Sequence, residues 1–378
     1  MQPGLDLRVQ LRVFFIRFFN WEYWNSTLLY LPVLPYLLYL WIRSKSCFFF
    51  NAANPGIKNG GFIMESKWEM QNDAPDGFFP FAQLMKPEEE FTTQFREIEG
   101  RFRFPVIAKP VIGSKGQGVT LIADRWELCQ YHRQCPVHYM VQEKINYPRE
   151  AGIFYVRLPG EACGRITGIV EKEFVQVTGN GSDNVEALLL QNPRYLLQIK
   201  SLRRVIPRET LQMVIAKGEH KVLLDIGNHA RGACFTNAGR HINALLTANI
   251  DKVCKKFPGF CFGRLDIRFN TWEQLYLGKE FAIIELNGAG SEPTHIYDPR
   301  HSVWYAWKEI CRHWYWMYRI SSYNHSKGVP YLSVTQGIQL LQSHIAYNKK
   351  MKTFAPAFAA KKDTALKMPA FYPVNTTH

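Results

Sequence analysis

FPVIAKPVIGSKGQGVTLI, residues 104–122, is the stretch on which the reading of this chain turns. Val106, Ile107 and Ala108 form an apolar run that Lys109 closes, and Val119 to Ile122 form a second. The pattern predicts strand, loop, strand. Between the runs, IGSKGQG carries Gly113, Gly116 and Gly118. Glycine lets a tight loop bring backbone N–H groups against phosphate oxygens. Ser114 and Lys115 add a hydroxyl and a positive charge. The loop is not a Walker loop, which needs GxxxxGK[ST] between strand and helix. It is not a Rossmann fingerprint either, because no helix opens at the third glycine. Taken alone, such a hairpin also reads as a plain turn.

The residues that follow narrow the choice. YMVQEKI, 139–145, reads as a strand running into a polar turn at Gln142, Glu143, Lys144 and Ile145. Glu150 opens a further strand, GIFYVRL, and Lys172 lies in another, GRITGIVEKEF. FGRLDIRF follows at 262–269 and FAIIELNGAGS at 281–291. Strand alternation puts Arg264, Asp266 and Arg268 on one face. It likewise puts Glu285 and Asn287 on one face of the last strand. If the two strands pair as a hairpin, Asp266 meets Glu285 and Asn287. Two carboxylates and an amide oxygen make a hard-oxygen site for one or two magnesium ions. A neighbouring Arg suits a phosphoryl group or an oxyanion in transfer. A surface salt-bridge lattice is the plainer alternative. Acids on otherwise apolar strands argue against it.

Together these stretches resemble the ATP-grasp superfamily, and within it the D-alanine–D-alanine ligase branch of carboxylate–amine ligases. The similarity covers roughly residues 62–300. It implies an α+β fold of two subdomains that grip ATP, with magnesium, or manganese in its place. Lys109 resembles the strand lysine on the nucleotide phosphates, and Ser114 to Gly118, with Lys115 and Gly116, the loop that folds over them. Gln142, Glu143, Lys144 and Ile145 resemble the hinge that reads adenine, and Glu150 the carboxylate on the ribose. Lys172 resembles a second phosphate lysine. Asp266, Glu285 and Asn287 resemble the metal ligands, and Arg264 the cation on the acyl phosphate. Gly288 to Ser291, with Gly290, resembles the loop at the acceptor site. The implied chemistry is attack of a carboxylate on ATP, followed by displacement of phosphate by an amine. Positioning and charge neutralisation carry such transfer. No Ser-His-Asp or Cys-His constellation competes with this reading. A nucleotide-binding module that does not catalyse, docked on a membrane complex, is the alternative.

Two features depart from the family. Its N-terminal α/β domain has no counterpart, and NPGIKNGGFIMESKWEM, from Asn54, resembles only the end of that domain. That domain helps to hold the first substrate, so D-alanine is not implied. After Asn287 the sequence runs NGAGSEPTHIYDP, which adds Glu292, His295 and Asp298 near the acceptor end. His295 is a base or substrate contact, or simply a loop histidine. In GNHARGACFTNAG, from Gly227, Arg231 is a carboxylate clamp or a solvated loop arginine.

The chain has 378 residues and a net charge of +14. Its composition is globular, with 47% hydrophobic and 21% charged residues, which excludes wholesale disorder. No repeat marks a solenoid, and a polytopic membrane protein is excluded. The charge is concentrated at the ends. Residues 1–50 carry five basic and two acidic side chains, and residues 349–378 carry six Lys and one Asp. No helix-turn-helix, zinc-finger or RNP-type cue accompanies it, so nucleic acid is not expected as a partner. Lipid phosphate or a phosphate-rich substrate fits the charge at least as well. The eight cysteines form no CxxC pair and read as free thiols in a reducing compartment.

LRVFFIRFFNWEYWNSTLLYLPVLPYLLYLWIRSKSCFFF, 11–50, differs from the rest. Pro32 and Pro35 interrupt its apolar centre, which disfavours a straight spanning helix. Its Trp and Tyr rings and flanking cations suit an interfacial or re-entrant anchor. A helical pair packed on the body, or a dimer contact, is the alternative. VWYAWKEICRHWYWMYRI, 303–320, places Trp304, Trp307, Cys311, Trp314 and Tyr318 on one helical face. That face is either core or an extension of the same membrane surface. The expected division is an aromatic helical segment at 1–50, a remnant or linker at 51–100, and a small grasp subdomain at 101–150. A large subdomain at 151–330 and a C-terminal helix with a basic tail at 331–378 complete it. The expected setting is cytoplasmic, at or anchored in the inner face of a membrane. Small carboxylate and amine substrates are the expected ligands.

Overall fold

In the computed structural model the described residues are 7–354 and 356, apart from 73, 75, 76, 114, 115, 226, 228, 230 and 231. The glycine-loop hairpin forms one side of a four-stranded sheet. Its strands are β1 (Ala82–Met85), β2 (Val106–Pro110), β3 (Thr120–Ile122) and β4 (Tyr139–Glu143), in the order β1-β4-β2-β3. All neighbours run antiparallel. β1 lies inside the stretch read as a remnant or linker, so this half begins before residue 101. Ala82-Gln83-Leu84-Met85 shows neither strict alternation nor β-branched residues, so the sequence does not mark a strand there. The helix Arg125–Gln134 starts at Asp124, whose carboxylate accepts from Glu127 N at 3.0 Å. It buries Leu128 and Tyr131 with Val106, Ala108 and Ile122.

The chain then enters a second antiparallel sheet through β5 (Arg149–Val156) and β6 (Arg165–Glu173). β7 (Val175–Thr178) and β8 (His220–Leu224) pair separately. β9 (Cys234–Asn237), β10 (Phe262–Phe269) and β11 (Phe281–Asn287) complete the second sheet, in the order β11-β10-β5-β6-β9. Alternation sorts its two faces. Ile153, Tyr155, Leu265, Ile267 and Phe269 join Leu246, Ile250 and Trp272 in one buried core. Each such side chain contributes about 1.5–3 kcal/mol by leaving water. Glu150, Arg264, Asp266 and Arg268 take the opposite face and line a cleft between the two sheets. Two α+β halves facing across a cleft are the architecture that the resemblance implies.

Three short helices, Leu7–Phe19, Ser26–Tyr30 and Leu34–Ser44, make up the N-terminal segment. No helix among the described residues is long and apolar enough to cross a membrane. Leu29, Val33 and Leu37 pack on Ile296, Ala306 and Ile310, which meets the packed reading for that face. The helix Val303–Ser326 sinks Trp307, Cys311 and Trp314 into the same cluster. Tyr318 packs nearby with Met317 and Phe49, whereas Trp304 is exposed. Four of the five stripe residues therefore serve the interior. The helix Val334–Lys352 returns to the small half, where Met351 and Phe354 enter its core. Of the basic tail, Lys349, Lys350 and Lys352 end this helix, and residues 355 and 357–378 lie outside the described residues. All eight cysteines are free thiols.

Candidate active site

The cleft encloses a volume of about 830 Å³. Its floor is the pairing of β10 with β11 and β5. Asp266 stands opposite Glu285, as the hairpin reading expects, whereas Asn287 stands opposite Arg264 rather than Asp266. On its other side Asp266 pairs with Gly152. A Cβ at that glycine would lie 3.0 Å from both Asp266 Oδ1 and Arg264 Cδ. The missing side chain makes room for the charged pair above it.

The charged side chains interlock. Arg264 donates from Nε to Asp266 Oδ1 at 2.9 Å and from Nη2 to Oδ2 at 3.1 Å. Its Nη1 reaches the Glu292 carbonyl at 3.2 Å. Lys172 Nζ lies 2.9 Å from Glu150 Oε1 and 3.2 Å from Asp266 Oδ1. Arg268 takes the other oxygen of Glu150 at 3.1 Å and Asp225 Oδ1 at 2.8 Å. Burial works to raise the Asp266 carboxyl, but Arg264 and Lys172 outweigh it and hold it below the usual range. Burial likewise opposes charge on Lys172, and Asp266 and Glu150 outweigh it, so its pKa rises.

Lys109 joins the two halves. From β2 its Nζ donates to Gln142 Oε1 at 2.8 Å and to the Ile284 carbonyl of β11 at 3.0 Å. Burial pulls its pKa down to about 8, with the nearby cation Lys67 adding to the shift and Glu285 opposing it. Gln142 is held in turn by Gln71, at 3.0 Å from its Nε2. Glu143, Lys144 and Ile145 line the cleft where β4 ends. Lys144 lies 3.4 Å from Asp225.

The remaining site residues divide. Gly116 lines the cleft, whereas Gly118 packs beneath the loop against Pro110 and Phe354. Gly290 and Ser291 line the cleft, and Gly290 N donates to the Gly61 carbonyl at 2.8 Å. Ser114, Lys115 and Arg231 lie outside the described residues. His295 does not reach the cleft. It is buried beside Glu309, at 3.5 Å, and lies where a side chain at Gly168 would be. The turn Thr294–Tyr297 lays it over Gly168, on the same face of the sheet as Lys172 but under the helix Val303–Ser326, so it stays out of the cleft lining. Asp298 braces the backbone N–H of Asn237 at 2.6 Å.

Some cleft residues escaped the sequence reading. Lys67 lies 3.4 Å from Glu285 and also donates to the Gly113 carbonyl. Gly227 presses on the Glu150–Lys172 pair, since a Cβ there would lie 2.5 Å from Glu150 Oε1. Trp24, Asn25, Ser26 and Tyr30 of the N-terminal segment wall one end of the cleft, with Tyr297 and Glu292. Tyr297 donates to Glu292 at 3.1 Å. Nothing local to these residues marks them, because each meets its partner only through the fold.

The donor set bears on the implied metal. Among the described residues no group of three or more His, Cys, Asp and Glu side chains forms a metal cage. Asp266, Glu285 and Asn287 nevertheless offer hard oxygens on one floor. The Asn287 amide is buried and its Nδ2 has no partner, so no bond at that nitrogen fixes its orientation. Magnesium commonly binds through one or two carboxylates and completes its shell with water and substrate phosphates. The residues fit that use.

No protein-family model and no curated protein matches the chain. Solved structures do. A D-alanine–D-alanine ligase from Bacillus anthracis matches at 12% identity and TM-score 0.39, over 70% of this chain and 69% of its own. The VanG D-Ala:D-Ser ligase from Enterococcus faecalis matches at 14% identity and TM-score 0.36, over 64% and 57%. A bifunctional glutathione synthetase from Pasteurella multocida matches at 15% identity and TM-score 0.33, over 58% and 32%. The chain thus spans between a third and about two thirds of the length of these proteins. Likenesses this distant carry no argument for the site, whose reading rests on its own residues.

Proposed function

We propose that the chain is a magnesium-dependent ligase that spends ATP to join a carboxylate to an amine through an acyl phosphate. The observation that carries this reading is the interlocked set Arg264–Asp266–Lys172–Glu150 on the cleft floor, with Glu285 and Asn287 beside it. Cations and carboxylates neutralise one another there. A magnesium nucleotide offers both charges at once, so it can exchange these internal pairs for pairs with itself. Removing only one partner of such a buried pair costs about 3–5 kcal/mol, which makes the set selective for a doubly charged ligand.

The residues divide the work. Asp266, Glu285 and Asn287 would hold the metal, which supplies charge neutralisation on the phosphates. Lys109 spans the cleft from one sheet to the other, so phosphates that bind it draw the halves together. Lys172 and Arg264 would meet the charge that develops on the transferred phosphoryl group and the oxyanion. Gly113, Gly116 and Gln117 line the same cleft. Glu150 accepts hydroxyls with lone pairs that Lys172 and Arg268 leave free. No side chain need move a proton in the first step, because a carboxylate is already the nucleophile.

ADP release tests this. The protein is given Mg-ATP and a panel of D- and L-amino acids, singly and in pairs. Stimulation by one carboxylate–amine pair, with a condensed product by mass spectrometry, supports the ligase. Tight nucleotide binding with no turnover on amino acids or on lipid-linked acceptors supports a module that binds without catalysing.

A further inference from the structure

The N-terminal segment uses only part of its apolar surface for packing. On the helix Leu7–Phe19, the side chains Leu11, Phe14, Phe15, Phe18 and Phe19 all face solvent, Phe19 at 73% exposure. Phe14 stacks on Phe18 and Phe15 on Phe19, so the rings form one outward sheet of carbon. Leu31, Leu34, Leu38 and Ile42 continue as an exposed stripe at helical spacing, Ile42 at 77%. Far along the chain, Val334, Ile338, Leu341 and Ile345 form another, at i, i+4, i+7 and i+11.

These stripes adjoin. Phe14, Phe18 and Leu28 line one groove, and Leu38, Ile42 and Val334 line another. Leu31 and Leu34, also exposed, lie between the two grooves along the chain, so exposed apolar side chains recur, as a band along the chain, from the first helix to the last long one. Soluble proteins rarely leave so much contiguous apolar surface without a partner.

Charge identifies the partner. Arg12, Arg17, Arg43, Lys45, Lys349 and Lys350 are exposed on the same elements. No Asp or Glu occurs between Glu22 and Glu65, or between Glu309 and Asp363. Glu22 itself is buried against Arg194, at 2.6 Å. Among the described residues of these elements, the band thus carries cations and no exposed carboxylate. A second copy would bring like charges together. Nucleic acid would leave the carbon surface wet. An anionic bilayer meets both needs, phosphate for the cations and acyl chain for the rings.

We propose that this band is a docking face for an anionic lipid bilayer, on which the protein lies without crossing it. The cleft opens beside the face, since Trp24 and Asn25 line both the first groove and the cleft. Substrates held at the bilayer surface would then enter without leaving it. This does not depend on the ligase reading, and its test reads no turnover.

The test is co-sedimentation of the full chain with vesicles of phosphatidylcholine alone and of phosphatidylcholine mixed with phosphatidylglycerol. The expected result is binding to the mixed vesicles that weakens as salt rises, and little binding to phosphatidylcholine. Phe14→Asp with Phe18→Asp, and separately Ile338→Asp with Ile345→Asp, should each lower the partition coefficient by at least about tenfold. All four side chains are exposed, so melting temperature should stay unchanged and separate lost docking from lost folding. No binding to mixed vesicles would overturn the proposal. So would a stable dimer by light scattering that the same substitutions dissolve, because the band would then be covered by protein.

Discussion

Arg264 and Asp266 stand two residues apart on one strand and grip each other through two parallel hydrogen bonds, at 2.9 and 3.1 Å. A bidentate guanidinium–carboxylate pair is among the stronger charge-assisted contacts. Here it occupies the carboxylate to which a metal role is assigned. Lys172 closes on the same carboxylate from the other side. Asp266 is thus already paired in the free protein, and in its proposed role magnesium would compete with two cations.

Asp266→Ala should then do two things. Mg-dependent ADP formation should fall by at least about 100-fold, as for loss of a preorganised charge partner in transfer. The fold should also lose about 3 kcal/mol, because Arg264 and Lys172 remain buried with one carboxylate fewer. Calorimetric melting checks the second effect separately from the first. An unchanged melting temperature would mean that the pair does not exist in solution.

Glu150→Ala takes one carboxylate from both Lys172 and Arg268, leaving Asp266 on the first and Asp225 on the second. Nucleotide affinity should fall, while the magnesium concentration for half-maximal activity should change little. Titration calorimetry with a non-hydrolysable ATP analogue measures the first. Equal affinity in the variant would remove Glu150 from the nucleotide site.

Lys109 gives a pH signature. Its folded pKa of about 8 lies below the ordinary 10.5 of an unfolded chain. The unfolded state therefore binds more protons between these values, and the Lys109 contribution to stability rises with pH across that window. Phosphates favour the charged form, so nucleotide binding near pH 8.5, about half a unit above the folded pKa, should take up protons. Calorimetry in two buffers of different ionisation enthalpy reads this uptake. Lys109→Met should abolish it and flatten the pH dependence of stability.

Gly227→Ala tests how closely the cleft wall approaches. The new methyl group would meet Glu150 Oε1 at 2.5 Å and Lys172 Cδ at 2.7 Å. Nucleotide affinity should fall about tenfold or more, with overpacking of about 1–3 kcal/mol. Wild-type affinity would show that the 227 loop stands away from the pair in solution.

Much of the floor was legible in sequence because a strand exposes every second residue. Arg264, Asp266 and Arg268 share a face for that reason, and the two strands need only pair in register to bring Asp266 to Glu285. The walls were not legible. Lys67 reaches Glu285 across more than 200 residues of chain, and Glu22 reaches Arg194 across 172. No local pattern encodes such meetings. His295 shows the opposite error. Its closeness in sequence to Asn287 suggested the cleft, but a short helical turn carries it along the same face to Gly168 and Glu309, beneath the helix Val303–Ser326.

The most direct test of the central claim is binding of a non-hydrolysable ATP analogue by calorimetry, with and without magnesium, in the intact chain and in Asp266→Asn. The account predicts one site per chain, binding tightened at least about tenfold by magnesium, and loss of that magnesium effect in the variant. Binding that is absent, or that ignores both magnesium and Asp266, would contradict it.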